Sequence, residues 1–234
     1  MAPLDGSLIS ALGVGFLLGL RHALDADHVA AVSTFVSGQR GLYGPCVLGT
    51  FWGVGHTAAL LSVALAMTLL RVRIPPELDI ALEALASIMV ILLAANVLRR
   101  AGGGLQIHRH DHGHGGRSHG HLHLHVGSTA SHAHLHAFDG GARPLLVGAL
   151  HGLAGSAALM LVVVATMPSM LAALVYVIVF GLGSTVGMVM VSGVVGIPFL
   201  VGRASERVRL ALQIAIGIGS LGVGVAMLRS LGWS

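Results

Sequence analysis

Residues 21–32 read RHALDADHVAAV and place one arginine, two histidines and two aspartates inside a long apolar run. That run, Leu8–Val36, exceeds the roughly 20 mostly apolar residues that a membrane-spanning helix needs. Each Asp or Arg at the centre of such a span costs about 2.5–3.5 kcal/mol. Because of that cost, a cluster of this kind normally lines a transport pathway or a binding site. The stretch therefore predicts a membrane protein with a polar site in its interior.

The composition of the whole chain supports a bilayer location. Of its 234 residues, 55% are hydrophobic and 9% are charged, whereas a soluble domain carries about 25% charged residues. Aromatic residues make up only 4%, so the basic net charge does not indicate nucleic-acid binding. The one cysteine, Cys46, excludes an internal disulfide. The first ten residues, MAPLDGSLIS, have no basic segment or cleavage site, so we expect no removable signal peptide.

Apolar runs long enough to span a bilayer recur along the chain. We therefore predict an all-α polytopic membrane protein of about six transmembrane helices. The predicted spans are Leu8–Val36, Gly44–Leu70, Leu78–Leu98, Pro144–Met167, Ser169–Val201 and Val208–Leu228.

Residues 101–143 have a different character and hold 11 of the 15 histidines, separated by Gly and Ser. Their apolar content is too low for independent folding, so we predict a flexible loop. Neutral imidazoles at this density bind divalent metals, which suggests metal buffering; the alternative is a solvated linker with no required role. The alternating histidines are His108, His110, His112, His114, His121, His123, His125, His132, His134 and His136.

The arginines predict the orientation of the chain. With six spans, nine arginines fall on the side of the His-rich loop and three on the other. The positive-inside rule then places the loop in the cytoplasm and both termini outside a bacterial inner membrane.

The two halves of the chain resemble each other. His22 aligns with His151 at an offset of 129, His56 with Ser184 at 128, and Arg99 with Arg229 at 130. We therefore divide the chain into a first three-helix repeat (1–100), the His-rich loop (101–143) and a second repeat (144–234). Three spans per half require the second to insert upside down, and inverted repeats of this kind recur in secondary transporters.

Histidines and aspartates within the spans are the candidate metal ligands. They are His22, Asp25, Asp27, His28, His56 and His151. On a regular helix His22 and His28 are about 9 Å apart along the axis, so the helix must bend or open if both are to bind one ion. The alternative is a structural ion pair between Arg21 and Asp25, four residues apart. Nitrogen and oxygen donors without a thiolate suit nickel, cobalt or zinc better than Cu(I).

The motif around these residues resembles a known family. RHALDADHVAAV closely resembles the HxxxxDH signature of the nickel/cobalt transporter family, here His22, Asp27 and His28, and GTFWGVGHT (residues 49–57) looks like its second signature. The acidic signature of longer members has no carboxylate in FGLGSTVGM (residues 180–188), and HGLAGSAAL (residues 151–159) resembles the urease-accessory-type nickel permeases. The resemblance implies recognition of Ni²⁺ or Co²⁺ by these segments. Arg21, Ser184 and Thr185 are the residues that we expect to surround the ligands.

We therefore expect a permease that imports Ni²⁺ or Co²⁺ as its substrate and is not an enzyme. No permanently bound cofactor is expected; the partners would be the metal ion, the bilayer and a cytoplasmic nickel chaperone or nickel-enzyme assembly system. The alternatives are an efflux protein of the same fold, a membrane haem protein with histidine axial ligands, a metalloenzyme of the desaturase kind, and a nickel-enzyme assembly partner that transports nothing.

Overall fold

The computed structural model describes residues 6–37, 43–70, 75–103, 105–114, 117–126, 137–154, 167, 169–201 and 205–232. Only the backbone is described for residues 6–8, 103–126, 137–140 and 200–201 within these ranges. The described helices are α1 (Gly6–His22), α2 (Ala26–Val36), α3 (Tyr43–Leu70), α4 (Pro76–Gly103), α5 (Ala137–Leu153), α6 (Met170–Val201) and α7 (Glu206–Ser230).

The first predicted span is broken at the polar motif. α1 ends at His22, α2 begins at Ala26, and the two helices meet at an angle of 57°. Asp25 caps α2 in an extended conformation. The helix therefore opens between His22 and His28, which is the condition under which both could bind one ion.

Four further helices are long and apolar enough to cross a membrane: α3, α4, α6 and α7. With the broken α1–α2 pair they give up to five spans, so the chain is a multi-pass membrane protein. Only the first part of the remaining predicted span, Pro144–Met167, is described, because residues 155–166 lie outside the described ranges. The number of six spans therefore stays a prediction.

The predicted boundaries of the His-rich loop need correction. α4 continues to Gly103, and α5 begins at Ala137 rather than at Pro144, which lies inside the helix. Proline ends soluble helices, but a membrane helix can keep one because neighbouring groups satisfy the freed carbonyl.

The backbone between these helices also differs from a loop without regular structure. Two antiparallel strands, β1 (Leu105–His114) and β2 (Arg117–Val126), pair along their whole length. Pairing satisfies backbone groups that an open loop would leave to water. The fold is therefore helical in its membrane part, with one two-stranded hairpin.

Glycines let helices of one half pack closely on helices of the other. A Cβ atom at Gly19 of α1 would collide with the carbonyl oxygen of Phe180, and one at Gly148 of α5 with that of Trp52. Gly148 is the repeat counterpart of Gly19 (148 − 19 = 129), and Phe180 is that of Trp52 (180 − 52 = 128). Both offsets are those of the sequence alignment. Each contact is thus the counterpart of the other with the halves exchanged.

A second pair of contacts follows the same rule. A Cβ atom at Gly183 would meet the carbonyl oxygen of Phe16, and one at Gly55 that of Leu145. Small residues at such crossings allow close backbone approach, which is how membrane helices pack without a hydrophobic driving force. The α1–α6 and α3–α5 crossings are therefore equivalent.

The contacts between equivalent helices of the two halves show the same correspondence. Thr57 of α3 and Thr185 of α6 face each other with their Oγ1 atoms 3.3 Å apart, at an offset of 128. α4 and α7 run antiparallel, with Gly224 packed on Ile91 and Gly217 on Leu98. The packing agrees with an approximate two-fold relation between the halves.

Candidate metal centre

Four histidines from four helices meet in the interior. His22 ends α1, His28 lies in α2, His56 in α3 and His151 in α5. The ring centroid of His28 is 4.4 Å from that of His22, 5.2 Å from that of His56 and 4.2 Å from that of His151. His28, His56 and His151 are 1–2% exposed, whereas His22 is partly exposed. All four histidines predicted within the spans therefore form one cluster.

The helix break explains how residues six positions apart come together. The chain turns at residues 23–25, so His22 and His28 leave the common axis that would have kept them about 9 Å apart. The same break places Asp27 in the first turn of α2, where the partial positive charge of a helix N-terminus favours a carboxylate.

Two carboxylates orient three of the imidazoles. The Nδ1 of His22 donates to Asp25 Oδ2 at 2.8 Å, and the Nδ1 of His28 donates to Asp27 Oδ1 at 3.1 Å. The other oxygen of Asp27 accepts from Nε2 of His151 at 2.7 Å. An ionised carboxylate only accepts hydrogen bonds, so each bonded ring nitrogen carries the proton. Carboxylate–histidine pairs of this kind fix the imidazoles of metal sites.

The hydrogen bonds leave several buried ring nitrogens without a partner among the described residues. They are Nε2 of His28, both nitrogens of His56 and Nδ1 of His151. Leaving a buried polar atom unsatisfied costs about 1–3 kcal/mol. A bound cation would satisfy such nitrogens, since neutral imidazole is a common metal ligand.

Two overlapping groups of side chains bring their ligand atoms close to the spacing of a metal site. His22, His28 and His56 form one group, and Asp27, His28 and His151 form the other. Within each group the ligand atoms lie within 4.8 Å of one another. Two nitrogens on opposite sides of one ion are about 4.2 Å apart, so only small movements separate this arrangement from a closed site.

The structural alternative for Asp25 does not hold. Because α1 ends at His22, Arg21 and Asp25 no longer share a helix face. Among the described side chains, Asp25 pairs with His22, and Arg21 is exposed without an ion pair.

The predicted neighbours of the ligands differ in role. Ser184 is fully buried, and its Oγ has no hydrogen-bond partner among the described residues. Thr185 instead donates to the carbonyl of Gly181 at the α3–α6 crossing. The loop histidines lie in a region where only some of the backbone is described, and its register pairs His108 with His123, His110 with His121 and His112 with His119.

One wall of the site was not predicted from the sequence. Trp52 of α3 is 1% exposed and lies between the metal cluster and Phe35, with ring centroids 5.7 Å from His151 and 5.6 Å from Phe35. Its position one helical turn before His56, within the segment GTFWGVGHT, is the signal in the sequence that places it near the ligands.

The fold and the site together define a class: a multi-pass helical membrane protein with a buried histidine–carboxylate cluster suited to a divalent metal. The chain belongs to the same family as the urease accessory protein UreH of Bacillus sp. (strain TB-90), to which it is 32% identical over 225 residues, covering 96% of this chain and 93% of the relative. No family model and no solved structure matches the chain. The relative is an accessory protein by name, in agreement with the prediction that this chain is not an enzyme.

Proposed function

We propose that this chain is a permease of the nickel/cobalt transporter family that imports Ni²⁺ or Co²⁺ across the inner membrane. The observation that carries the proposal is the set of buried ring nitrogens on His28, His56 and His151 that have no partner among the described residues. The name of its relative, a urease accessory protein, supports nickel as the ion and a nickel-enzyme assembly system as the recipient.

The donor set supports a borderline transition metal. The two ligand groups offer imidazole nitrogens and one carboxylate, whereas Cu(I) prefers thiolates and thioethers, and Mg²⁺ and Ca²⁺ prefer oxygen. An ion held by three side chains keeps room for water, and such incomplete coordination allows release on the far side.

The shared ligand suggests how an ion advances. His28 belongs to both groups, so the two groups cannot hold complete sets around two ions at once. In the proposed mechanism an ion leaves Asp27 and His151 while His28 retains it, and His22 and His56 then complete its coordination. The carboxylate of Asp27 changes from binding the metal to orienting His28.

The paired glycine contacts support inverted repeats that move against each other. The contact of Gly19 with Phe180 has an equivalent in the contact of Gly148 with Trp52, in which each half takes the role of the other. Such a pair of contacts permits two equivalent arrangements of the helices. Transporters with inverted repeats use such pairs to open the site first to one side and then to the other. For a divalent ion the membrane potential supplies about 4.6 kcal/mol per 100 mV toward the negative interior.

The alternative of a membrane haem protein does not fit the cluster. Of the ring pairs, His56 and His151 have the widest recorded separation, 6.4 Å between centroids. His28 lies 5.2 Å from the first and 4.2 Å from the second, so its ring occupies the space in which a macrocycle would have to lie.

Radiolabelled nickel uptake tests the proposed function. His28→Ala and His56→Ala should each reduce the initial uptake rate by at least about tenfold, because each removes a ligand. His119→Ala, which removes one of the many loop histidines, is the control and should keep the wild-type rate. Undiminished uptake in both cluster variants would exclude the site. Accumulation that rises in the variants would indicate export instead of import.

A further inference from the structure

A cavity connects the metal centre to one end of the helix bundle. It has a volume of about 180 Å³ and is lined by Asp27 and His151 at its inner end. Its remaining polar lining comes from the first turns of α4 and the last turn of α7: Glu83, Ser87 and Ser230. The cavity therefore joins the ligands to the side of the molecule opposite the His-rich hairpin.

Glu83 is the one carboxylate of this lining that belongs to no ligand group. It lies in the second turn of α4 and is half-buried. Asp79, one turn earlier, has a buried Oδ1 without a hydrogen-bond partner among the described residues. Like charges at this spacing destabilise each other, and a cation nearby would remove that repulsion.

A second observation points to a cation in the same cavity. His151 lines it, is 2% exposed, and has a buried Nδ1 without a partner among the described residues. A carboxylate at the mouth and an unpaired imidazole nitrogen deeper inside offer successive positions to one divalent ion.

The opposite end of the bundle has the reverse charge. A cavity of about 450 Å³ is lined there by Arg100 and Arg143. Gln213, which is the repeat counterpart of Glu83 (83 + 130 = 213), also lines it. Arg100 is 17 residues further along α4 than Glu83, about 25 Å at 1.5 Å per residue. The same position of the repeat is thus a carboxylate, Glu83, at one mouth and a neutral amide, Gln213, at the other.

We propose that Glu83 is the capture residue for the hydrated divalent cation: it concentrates the ion at this mouth and passes it to Asp27 and His151. The inference rests on the proposed transport function and adds to it the entry route. A cleft lined with one sign of charge raises the encounter rate of an opposite charge, and salt screens that effect.

The test is nickel flux into proteoliposomes containing the full-length chain, with the metal alone as the probe. Glu83→Gln should raise the KM for Ni²⁺ by about tenfold and leave the maximal rate at saturating nickel unchanged. It should also flatten the increase of KM with ionic strength. Glu83→Asp, which keeps the charge, should restore most of the low-salt KM.

Glu77→Gln is the matched control, because Glu77 lies on the same helix, is exposed and does not line the cavity. If Glu83→Gln behaves like Glu77→Gln, or lowers the maximal rate without raising KM, the capture role is wrong. If Glu83→Gln fails to fold, Glu83→Ala replaces it as the charge-removing variant: a raised KM with a flattened salt dependence supports capture, and a wild-type KM overturns it. Failure of the transport proposal is recognised separately, since wild type itself would then show no flux dependent on His56.

Discussion

At the scale of the residue, the carboxylates do more than supply charge. Asp27 accepts hydrogen bonds from His28 and His151, two side chains 123 residues apart in sequence (151 − 28). Among the described side chains, Asp25 pairs with His22, and the Asp25 side chain is 53% exposed. The two aspartates of the same motif therefore contribute differently to metal affinity.

Substitution of Asp27 tests this difference. Asp27→Asn should lower the affinity for Ni²⁺ or Co²⁺ by roughly 10–100-fold, because the amide cannot accept from both imidazoles as the carboxylate does. Asp25→Asn should have a smaller effect, since its partner is exposed to water. Calorimetric titration of the detergent-purified protein measures both. Equal losses in the two variants would contradict the central position of Asp27.

At the scale of the element, close helix crossings hold the ligands in place. Gly55 and Gly183 lie against carbonyl oxygens of the other half, at the crossings that position His56 and the end of α1. A side chain at either position would push apart two helices that carry ligands.

Gly183→Ala should therefore destabilise the fold by about 1–3 kcal/mol, the usual cost of overpacking. For a protein of this length each kcal/mol corresponds to about 2–4 °C in Tm. Gly222→Ala is the control, because a Cβ there meets no atom within 4 Å; alanine should be neutral or favour the helix by up to about 1 kcal/mol. Thermal unfolding in detergent compares the two, and a Tm for Gly183→Ala at or above that of the control would refute the close crossing.

The elements also show where sequence patterns are sufficient. Apolar length correctly predicts α3, α4, α6 and α7, because the bilayer imposes a minimum run that few other segments meet. The beginning of α5 at Ala137 was missed, since Gly140, Gly141 and Pro144 resemble a loop in the sequence. Local propensity has little weight where packing against other helices decides.

At the scale of the whole molecule, the two ligand groups found among the described side chains come from α1, α2, α3 and α5. Transport and metal buffering are therefore separable in the proposed mechanism.

Replacing all histidines between residues 108 and 136 by serine tests that separation. We expect an unchanged initial rate of nickel uptake, because the ligand groups remain, and a lower amount of metal retained after the external ion is removed. Efflux from preloaded cells measures retention, and a variant with the same number of serine changes at non-histidine positions of the segment is the control. Loss of the initial rate would mean that the segment belongs to the transport path itself.

The sequence by itself determined that the chain is a membrane protein, and it predicted that polar residues within the spans form a site of nitrogen and oxygen donors. These conclusions follow from the cost of burying charge in a bilayer, which depends on residue type alone. Only the tertiary structure decided that His151 reaches Asp27, that Asp25 pairs with His22 instead of Arg21, and that a cavity joins Glu83 to the cluster. Those contacts depend on how α5 packs on α3 and how α1 breaks, and the chain encodes them through many small residues whose combined effect appears only when the helices are assembled.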